Sequence, residues 1–248
     1  MPQTGATRYQ AHELPALLFG RSQPLCYVLN PKAACTLALN FVFFANHGYR
    51  YFDPIQIHYS RAALLRIDGS KTDPRIVDAF HRLAPESFSI VRDPLDRFVS
   101  GFLSKIFSEV DPVYRPYRDI VTSLHGIDLS PEADPKRSCL AFARWLAGQS
   151  DPKAIDPHFR PQWLNLGMDG PYKLGTILRL EDRPGLLAYF SKWIGTEKSQ
   201  WFLSLRFNEQ QTRAKVDVLS DELVTLVREI YAKDYRLFYG EDAARLTA

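Results

Sequence analysis

Two segments of the chain combine residue types that bind anions, and each comes directly after a short apolar run. The first contains Lys32 and Thr36 in the sequence NPKAACT, and the second contains Arg92 and Ser100 in the sequence RDPLDRFVS. A lysine supplies a point charge, an arginine supplies a planar fork of donors, and each hydroxyl supplies a further hydrogen bond. These residue types suit a ligand that carries phosphate groups.

The first segment lies between a predicted strand at residues 25–29 and a predicted buried helix at residues 36–45. The first N–H groups of a helix have no partners within the helix, and the helix dipole is positive there, so an anion in front of them is stabilised. Ala33 and Ala34 keep the side chains small where the backbone must approach a ligand. The alternative is that Lys32 is a solvated loop residue and that Thr36 is a plain N-cap. The loop lacks the glycines of G-x-x-x-x-G-K-[ST], which disfavours an ATP-binding P-loop.

The second segment follows a predicted strand at residues 87–91 and begins a helix with Asp93 as its N-cap. Arg92 therefore lies at the C-terminal end of a strand, where open α/β sheets bind their ligands. Counting 100° per residue places Ser100 and Arg97 on one polar stripe in line with Asp93. We expect Ser100 to reach the same anion as Arg92, with Arg97 at its border.

Arg92 also allows a simpler interpretation, in which it pairs with Asp96 at the start of the helix. A kinase or ATPase of this build usually has an acidic Mg²⁺ ligand at the end of its second strand, whereas this strand ends in arginine. We therefore expect a ligand that is bound without a metal ion.

Strands alternate with helices along the chain, and no low-complexity linker separates them. Further strands are predicted at residues 54–59 and 173–180, and further helices at residues 61–66, 74–83, 139–148, 183–194 and 220–239. This order predicts an α/β fold, with a single domain over residues 1–248 whose central, mostly parallel sheet is flanked by helices. Residues 1–22 are predicted to be an N-terminal extension. Residues 111–137, rich in proline and charge, are predicted to be an insertion with loops or a short helix.

Composition limits the classes of partner. The 31 Lys and Arg against 28 Asp and Glu give a net charge of +3, too slight for a nucleic-acid binder. Three cysteines without metal-ligand spacing indicate a reducing compartment and no metal site. The chain shows no signal peptide and no apolar run that could form a membrane span, so we expect a cytoplasmic protein.

The motifs together resemble those of the sulfotransferases, particularly the carbohydrate type with its P-K-x-A-[CS]-T loop. Residues 30–36 resemble the family's 5′-phosphosulfate-binding loop, and residues 91–102 resemble its 3′-phosphate-binding segment. Residues 178–182 and 230–238 resemble elements of the family's C-terminal half. The resemblance implies a P-loop-like nucleotide-binding fold and transfer of a sulfuryl group from 3′-phosphoadenosine 5′-phosphosulfate (PAPS) to an acceptor hydroxyl. It favours a carbohydrate or glycoconjugate as the acceptor, with the insertion on the acceptor side.

The resemblance also implies roles for individual residues. Lys32 would neutralise the charge of the leaving phosphate, while Arg92 and Ser100 would hold the 3′-phosphate. Arg213, or its neighbour Lys215, would add charge there. The 5′-phosphate would be held by the Thr36 hydroxyl and by the backbone of three residues, Ala33, Ala34 and Cys35.

Sulfuryl transfer also needs a base for the acceptor's hydroxyl proton, and two histidines compete for that role. His158 lies in the sequence HFRP, which resembles the family's H-[WF]-x-P segment near the acceptor site. His58 ends the predicted strand at residues 54–59, where some sulfotransferases place a catalytic histidine. Motif context favours His158, and both remain candidates.

Two other functions are compatible with the sequence. A small-molecule kinase with a degenerate P-loop would bind ATP with Mg²⁺, against which the missing glycines and missing acidic metal ligand both argue. A non-catalytic nucleotide-binding or glycan-binding module would bind its ligand without any transfer.

Overall fold

A computed structural model of the chain describes residues 17–19, 24–53, 56–58, 65–67, 86–108, 114–130, 133–169, 174–205 and 218–240. The chain divides into two compact units. The first consists of Met1–Arg92 and Gln162–Asn208, and the second of Asp93–Pro161 and Glu209–Ala248. The organisation as a single domain stays a prediction.

A sheet forms the centre of the first unit. Its strands within the described residues are β1 (Leu17–Phe19), β2 (Cys26–Val28), β3 (Leu65–Ile67), β4 (Ser87–Val91) and β5 (Thr176–Arg179), in the spatial order β3-β1-β2-β4-β5. Strands β2, β4 and β5 are parallel, whereas β1 is antiparallel to both of its neighbours. All five residues of β4 are buried, as expected of a central parallel strand that is covered on both faces. The predicted parallel sheet with flanking helices is thus confirmed for its centre.

Helices pack on this sheet and supply the aromatic core of the first unit. They are α1 (Cys35–His47), α5 (Gln162–Asn165), α6 (Arg183–Ile194) and α7 (Thr196–Ser204). Helix α1 is apolar on nearly every face, and its residues from Cys35 to Phe44 are buried. Phe41 stacks on Phe190 at 3.8 Å between ring centroids and meets Phe88 of β4 edge to face at 5.8 Å. The predicted buried helix is confirmed.

The second unit is built from helices within its described residues. They are α2 (Pro94–Gly101), α3 (Arg115–His125), α4 (Pro135–Ala147), α8 (Asp221–Ile230) and α9 (Ala232–Tyr239), and α2 continues as a π-helical segment, Phe102–Phe107. The carboxylate of Asp93 accepts a hydrogen bond from the Asp96 N–H at 3.0 Å, which confirms the predicted N-cap. Phe142 packs against Phe98 and Phe159 at the centre of this unit's core.

One predicted strand is wrong. Residues 54–59 were expected to be extended, but Gln56–His58 form a turn of 3-10 helix. Ile57 is buried in the core of the first unit and His58 contacts Thr36 of α1, so packing against α1 overrides the weak local preference for a strand.

One predicted helix is also wrong where the structure describes it. Residues 61–66 were expected to be helical, but Leu65–Ile67 form β3, in which Arg66 lies opposite Leu18 of β1. Pairing with a neighbouring strand overrides the weak local preference for helix. The remainder of this segment and the predicted helix at residues 74–83 lie outside the described residues.

Three other segments refine the predictions. The predicted helix at residues 220–239 is divided at Tyr231, whose φ of −109° and ψ of 24° leave the helical region. Residues 111–137 contain α3 and the start of α4, and the predicted extension at residues 1–22 contains β1. Helix α7 was not predicted. No helix in the described ranges has both the length and the apolar character needed to cross a membrane.

Candidate functional site

The loop between β2 and α1 adopts an unusual backbone conformation without any glycine. Lys32 has a φ of 66° and Ala34 a φ of 60°, both in the left-handed region. Such a conformation costs about 1–2 kcal/mol for each residue that has a Cβ. The Ala33 N–H donates to the Asn30 carbonyl at 3.3 Å, so residues 30–33 form a tight turn with Lys32 at its left-handed position, and Ala34 adopts the same conformation directly before α1.

The start of α1 reinforces this arrangement. Its N-cap is Ala34, which offers no side-chain acceptor to the first turn of the helix. The Cys35 thiol donates to the Asn30 carbonyl at 2.8 Å and so ties the two ends of the loop together. The Tyr27 hydroxyl in turn donates to Cys35 Sγ at 3.4 Å, and burial raises the pKa of Tyr27 well above its ordinary value. Tyr27 therefore remains a neutral donor and supports the loop through its hydrogen bond to Cys35.

Thr36 and His58 form a direct pair in the first unit. Thr36 Oγ1 lies 2.9 Å from His58 Nε2, with Thr36 buried and His58 half-buried. When Nε2 carries the proton, His58 donates to Thr36 and leaves the threonine hydroxyl to donate elsewhere. The structure thus joins the residue predicted to hold the 5′-phosphate to one of the two predicted bases.

Arg92 extends from the end of β4 to the same loop. Its Nη1 donates to the Lys32 carbonyl at 3.5 Å, and its side chain is half-buried. Lys32 and Arg92, which belong to the two motifs predicted to bind anions and are 60 residues apart in sequence, therefore meet in the first unit at the C-terminal ends of neighbouring parallel strands. This is the edge at which open α/β sheets bind ligands.

Two buried amides, which sequence analysis missed as functional residues, connect these strand ends. Gln162 Oε1 accepts from Asn30 Nδ2 at 2.8 Å and from the Arg92 N–H at 3.0 Å. Gln162 Nε2 donates to the Arg92 carbonyl at 2.8 Å. Asn30 and Gln162 are both fully buried. Their positions next to the quoted motifs, directly before Pro31 and directly after Pro161, were the available signal.

In the second unit, the polar stripe of α2 has a different use from the one expected. Ser100 lies on α2 and is buried. Arg97 is 1% exposed, and its guanidinium donates to the Arg160 carbonyl at 2.9 Å and to the Pro157 carbonyl at 2.8 Å. Arg97 therefore anchors the loop around residues 156–160, and its predicted place at the border of an anion stays a prediction.

That loop carries His158 and fixes its ring. Asp156 Oδ1 accepts from the His158 backbone N–H and lies 2.8 Å from Nδ1 of the ring. The Tyr114 hydroxyl lies 2.9 Å from the same nitrogen. Asp156 is 3% exposed, whereas the His158 side chain is 24% exposed. A buried carboxylate that holds Nδ1 orients the imidazole and selects the tautomer whose Nε2 accepts a proton.

Several predicted residues have no structural description. Arg213 and Lys215 lie outside the described residues, so their predicted contact with the 3′-phosphate stays a prediction. Among the residues that the structure describes, no group of three or more His, Cys, Asp or Glu side chains could hold a metal ion.

Comparison with known proteins is informative at the level of the family. No curated protein and no solved structure gives a significant match. A family model described as "Sulfotransferase family" matches residues 17–240, which include both predicted anion-binding motifs and the His158 loop. Because this match covers nearly the whole chain, the protein belongs to the sulfotransferase family.

Proposed function

We propose that the protein transfers a sulfuryl group from PAPS to a hydroxyl of a carbohydrate or glycoconjugate. Family membership supports sulfuryl transfer in general. The observation that supports this donor is the meeting of the Lys32 loop with Arg92 at the ends of β2 and β4. A P-loop-like site of this kind suits a nucleotide with phosphate groups on both its 5′ and 3′ positions.

The first unit supplies most of the proposed donor contacts. The N–H groups of Ala34 and Cys35 and the Thr36 hydroxyl are proposed to bind the 5′-phosphosulfate, and the Arg92 guanidinium to bind the 3′-phosphate. The Ala33 N–H donates to the Asn30 carbonyl at 3.3 Å, so the predicted role of Ala33 is limited to its small side chain. Ser100 belongs to the second unit, and its role as a ligand of the 3′-phosphate remains a prediction from its motif.

Transfer forms a bond between the acceptor oxygen and sulfur while the bond from sulfur to the 5′-phosphate oxygen breaks. The products are a sulfate ester and 3′-phosphoadenosine 5′-phosphate, and the acceptor's proton passes to a base. Lys32 is proposed to stabilise the negative charge that grows on the leaving phosphate oxygen. The backbone strain at Lys32 supports this role, because strained residues often mark functional sites.

His158 is the proposed base, and His58 is the alternative. The contact of Asp156 with Nδ1 of His158 supports this choice because it favours the tautomer whose Nε2 can accept a proton, with the Tyr114 hydroxyl 3.4 Å from that nitrogen. The contact of His58 Nε2 with Thr36 instead supports a role in holding the donor.

A thermal-shift titration tests the donor. We expect 3′-phosphoadenosine 5′-phosphate to raise the melting temperature without Mg²⁺, while ATP with Mg²⁺ has little effect. The reverse ranking would contradict a sulfotransferase and favour a kinase. A panel of sugars incubated with labelled PAPS then tests transfer, and strong nucleotide binding without labelled product would indicate a non-catalytic module.

A further inference from the structure

Strands β2 and β4 separate toward their C-terminal ends, and side chains take over the role of the backbone there. Backbone pairing joins Cys26 with Ser87 and Tyr27 with Phe88. One step further, the Ser89 hydroxyl donates to the Val28 carbonyl at 2.8 Å. Further still, Asn30 Nδ2 donates to the Ile90 carbonyl at 3.0 Å. The separation begins where β2 turns into the phosphate-binding loop.

Gln162 completes this series at the last position. On the β5 side, the Val91 carbonyl accepts from the Leu180 N–H at 2.8 Å. Because N–H and C=O groups alternate in direction along a strand, those of Arg92 point toward the β2 side. Backbone pairing with β2 has ended by this point. The Gln162 side-chain amide takes its place: Oε1 accepts from the Arg92 N–H at 3.0 Å, and Nε2 donates to the Arg92 carbonyl at 2.8 Å.

The same side chain also holds the start of the loop. Gln162 Oε1 accepts from Asn30 Nδ2, and the Asn30 carbonyl accepts from the Cys35 thiol. A continuous set of hydrogen bonds therefore runs from the backbone of Arg92 through Gln162 and Asn30 to the first residue of α1. The bonds at Arg92 are part-buried, and the others are buried. Full burial of both amides makes the spacing between these elements costly to change.

We propose that Gln162 and Asn30 are positioning residues that set the spacing between the phosphate-binding loop and Arg92. Their function is to make the protein select nucleotides with phosphates at both the 5′ and the 3′ positions over nucleotides with a 5′-phosphate alone. This proposal rests on the proposed function, because it assigns the two anion-binding elements to two phosphates of one ligand.

The test compares two ligands on one set of variants by isothermal titration calorimetry. The ligands are 3′-phosphoadenosine 5′-phosphate and adenosine 5′-monophosphate, which lacks the 3′-phosphate. Gln162→Met keeps the length of the side chain and removes the hydrogen bonds to Asn30 Nδ2 and to the Arg92 N–H and carbonyl. We expect the affinity for the first ligand to fall at least about 10-fold and that for the second less than about 3-fold.

Ser89→Ala is the matched control, because it removes another buried bond between β2 and β4 but leaves Gln162 and Asn30 in place. For Ser89→Ala, the ratio of the affinity for 3′-phosphoadenosine 5′-phosphate to that for adenosine 5′-monophosphate should stay within about 2-fold of the wild-type ratio. Asn30→Ala, the second variant, breaks the link between the loop and Gln162 and should reduce the ratio even if Gln162→Met does not fold.

The outcomes separate the two proposals. A wild-type protein without preference for the 3′-phosphorylated nucleotide would contradict the proposed function and with it this inference. A wild-type preference that survives in Gln162→Met and Asn30→Ala would overturn the inference alone. Equal losses for both ligands would also overturn it, because they would indicate a purely structural role.

Discussion

Thr36 Oγ1 and His58 Nε2 lie 2.9 Å apart, so a hydroxyl in the first turn of α1 has a histidine as its direct partner. The Thr36 hydroxyl accepts from His58 when Nε2 carries the proton, and it donates to His58 when Nε2 does not. If Thr36 binds the donor as proposed, this contact gives His58 a role at the donor site other than that of the base.

The first prediction concerns this pair. Thr36→Val removes the hydroxyl at nearly constant volume and is expected to weaken binding of 3′-phosphoadenosine 5′-phosphate about 10-fold, as for loss of one hydrogen bond to a charged group. His58→Ala should weaken it about 5-fold, because the hydroxyl loses its partner. The double variant should be no weaker than Thr36→Val, since both changes remove one interaction. Calorimetry measures all three, with His47→Ala as control, and additive losses would show that the residues act independently.

The second prediction concerns Arg92. Arg92→Ala should weaken binding of the 3′-phosphorylated nucleotide about 30-fold or more, because a charge-assisted contact with a phosphate is lost. Binding of adenosine 5′-phosphosulfate, which has no 3′-phosphate, should change little. Arg144→Ala removes an exposed arginine that pairs with Glu222 and provides the control for net charge. Equal losses for both nucleotides would mean that Arg92 only supports the fold.

The third prediction separates the two histidines. His158→Asn should lower the rate of labelled sulfate transfer by about 10²–10⁴-fold, the range for loss of a general base, and leave donor affinity unchanged. Asp156→Asn should lower the rate without affecting donor affinity, because the imidazole loses the group that selects its tautomer. His58→Asn serves as the comparison. A rate loss confined to His58→Asn would transfer the role of base to His58.

The fourth prediction concerns the strained loop. Ala34→Gly should stabilise the protein by about 1 kcal/mol, because glycine reaches a φ of 60° without a Cβ clash. Gly48→Ala is the converse change, at a φ of 76° with no atom within 4 Å of the added Cβ, and should destabilise the protein by about 1 kcal/mol. Urea unfolding measures both free energies. A stabilising Gly48→Ala would show that the backbone relaxes at these sites.

Local signals in the sequence predicted much of the fold that positions the site. The N-cap at Asp93 and the apolar run at residues 36–45 each depend on neighbouring residues, so they could be recognised without the tertiary structure. Strands β1 and β3 could not, because each has three residues and is defined by its partner.

The candidate site was predictable only in part for a related reason. The helical periodicity predicted that Arg97 lies on a polar stripe. It could not predict that the Arg97 guanidinium donates to two backbone carbonyls. Asn30 and Gln162 are 132 residues apart, and an amide pair at that separation leaves no periodic pattern. Charged residues near strand ends could be identified by type, whereas neutral residues that position them required the structure.

The left-handed conformation of Lys32 and Ala34 has a consequence for the entropy of binding. Residues with a Cβ have fewer accessible backbone states than glycine, so this loop has less freedom to lose when it closes around an anion. The protein without ligand is less stable than it would be with glycine at these two positions. The same restriction of the backbone means that the loop loses less entropy when it binds an anion. An Ala34→Gly protein that is more stable should therefore bind its nucleotide with a less favourable entropy.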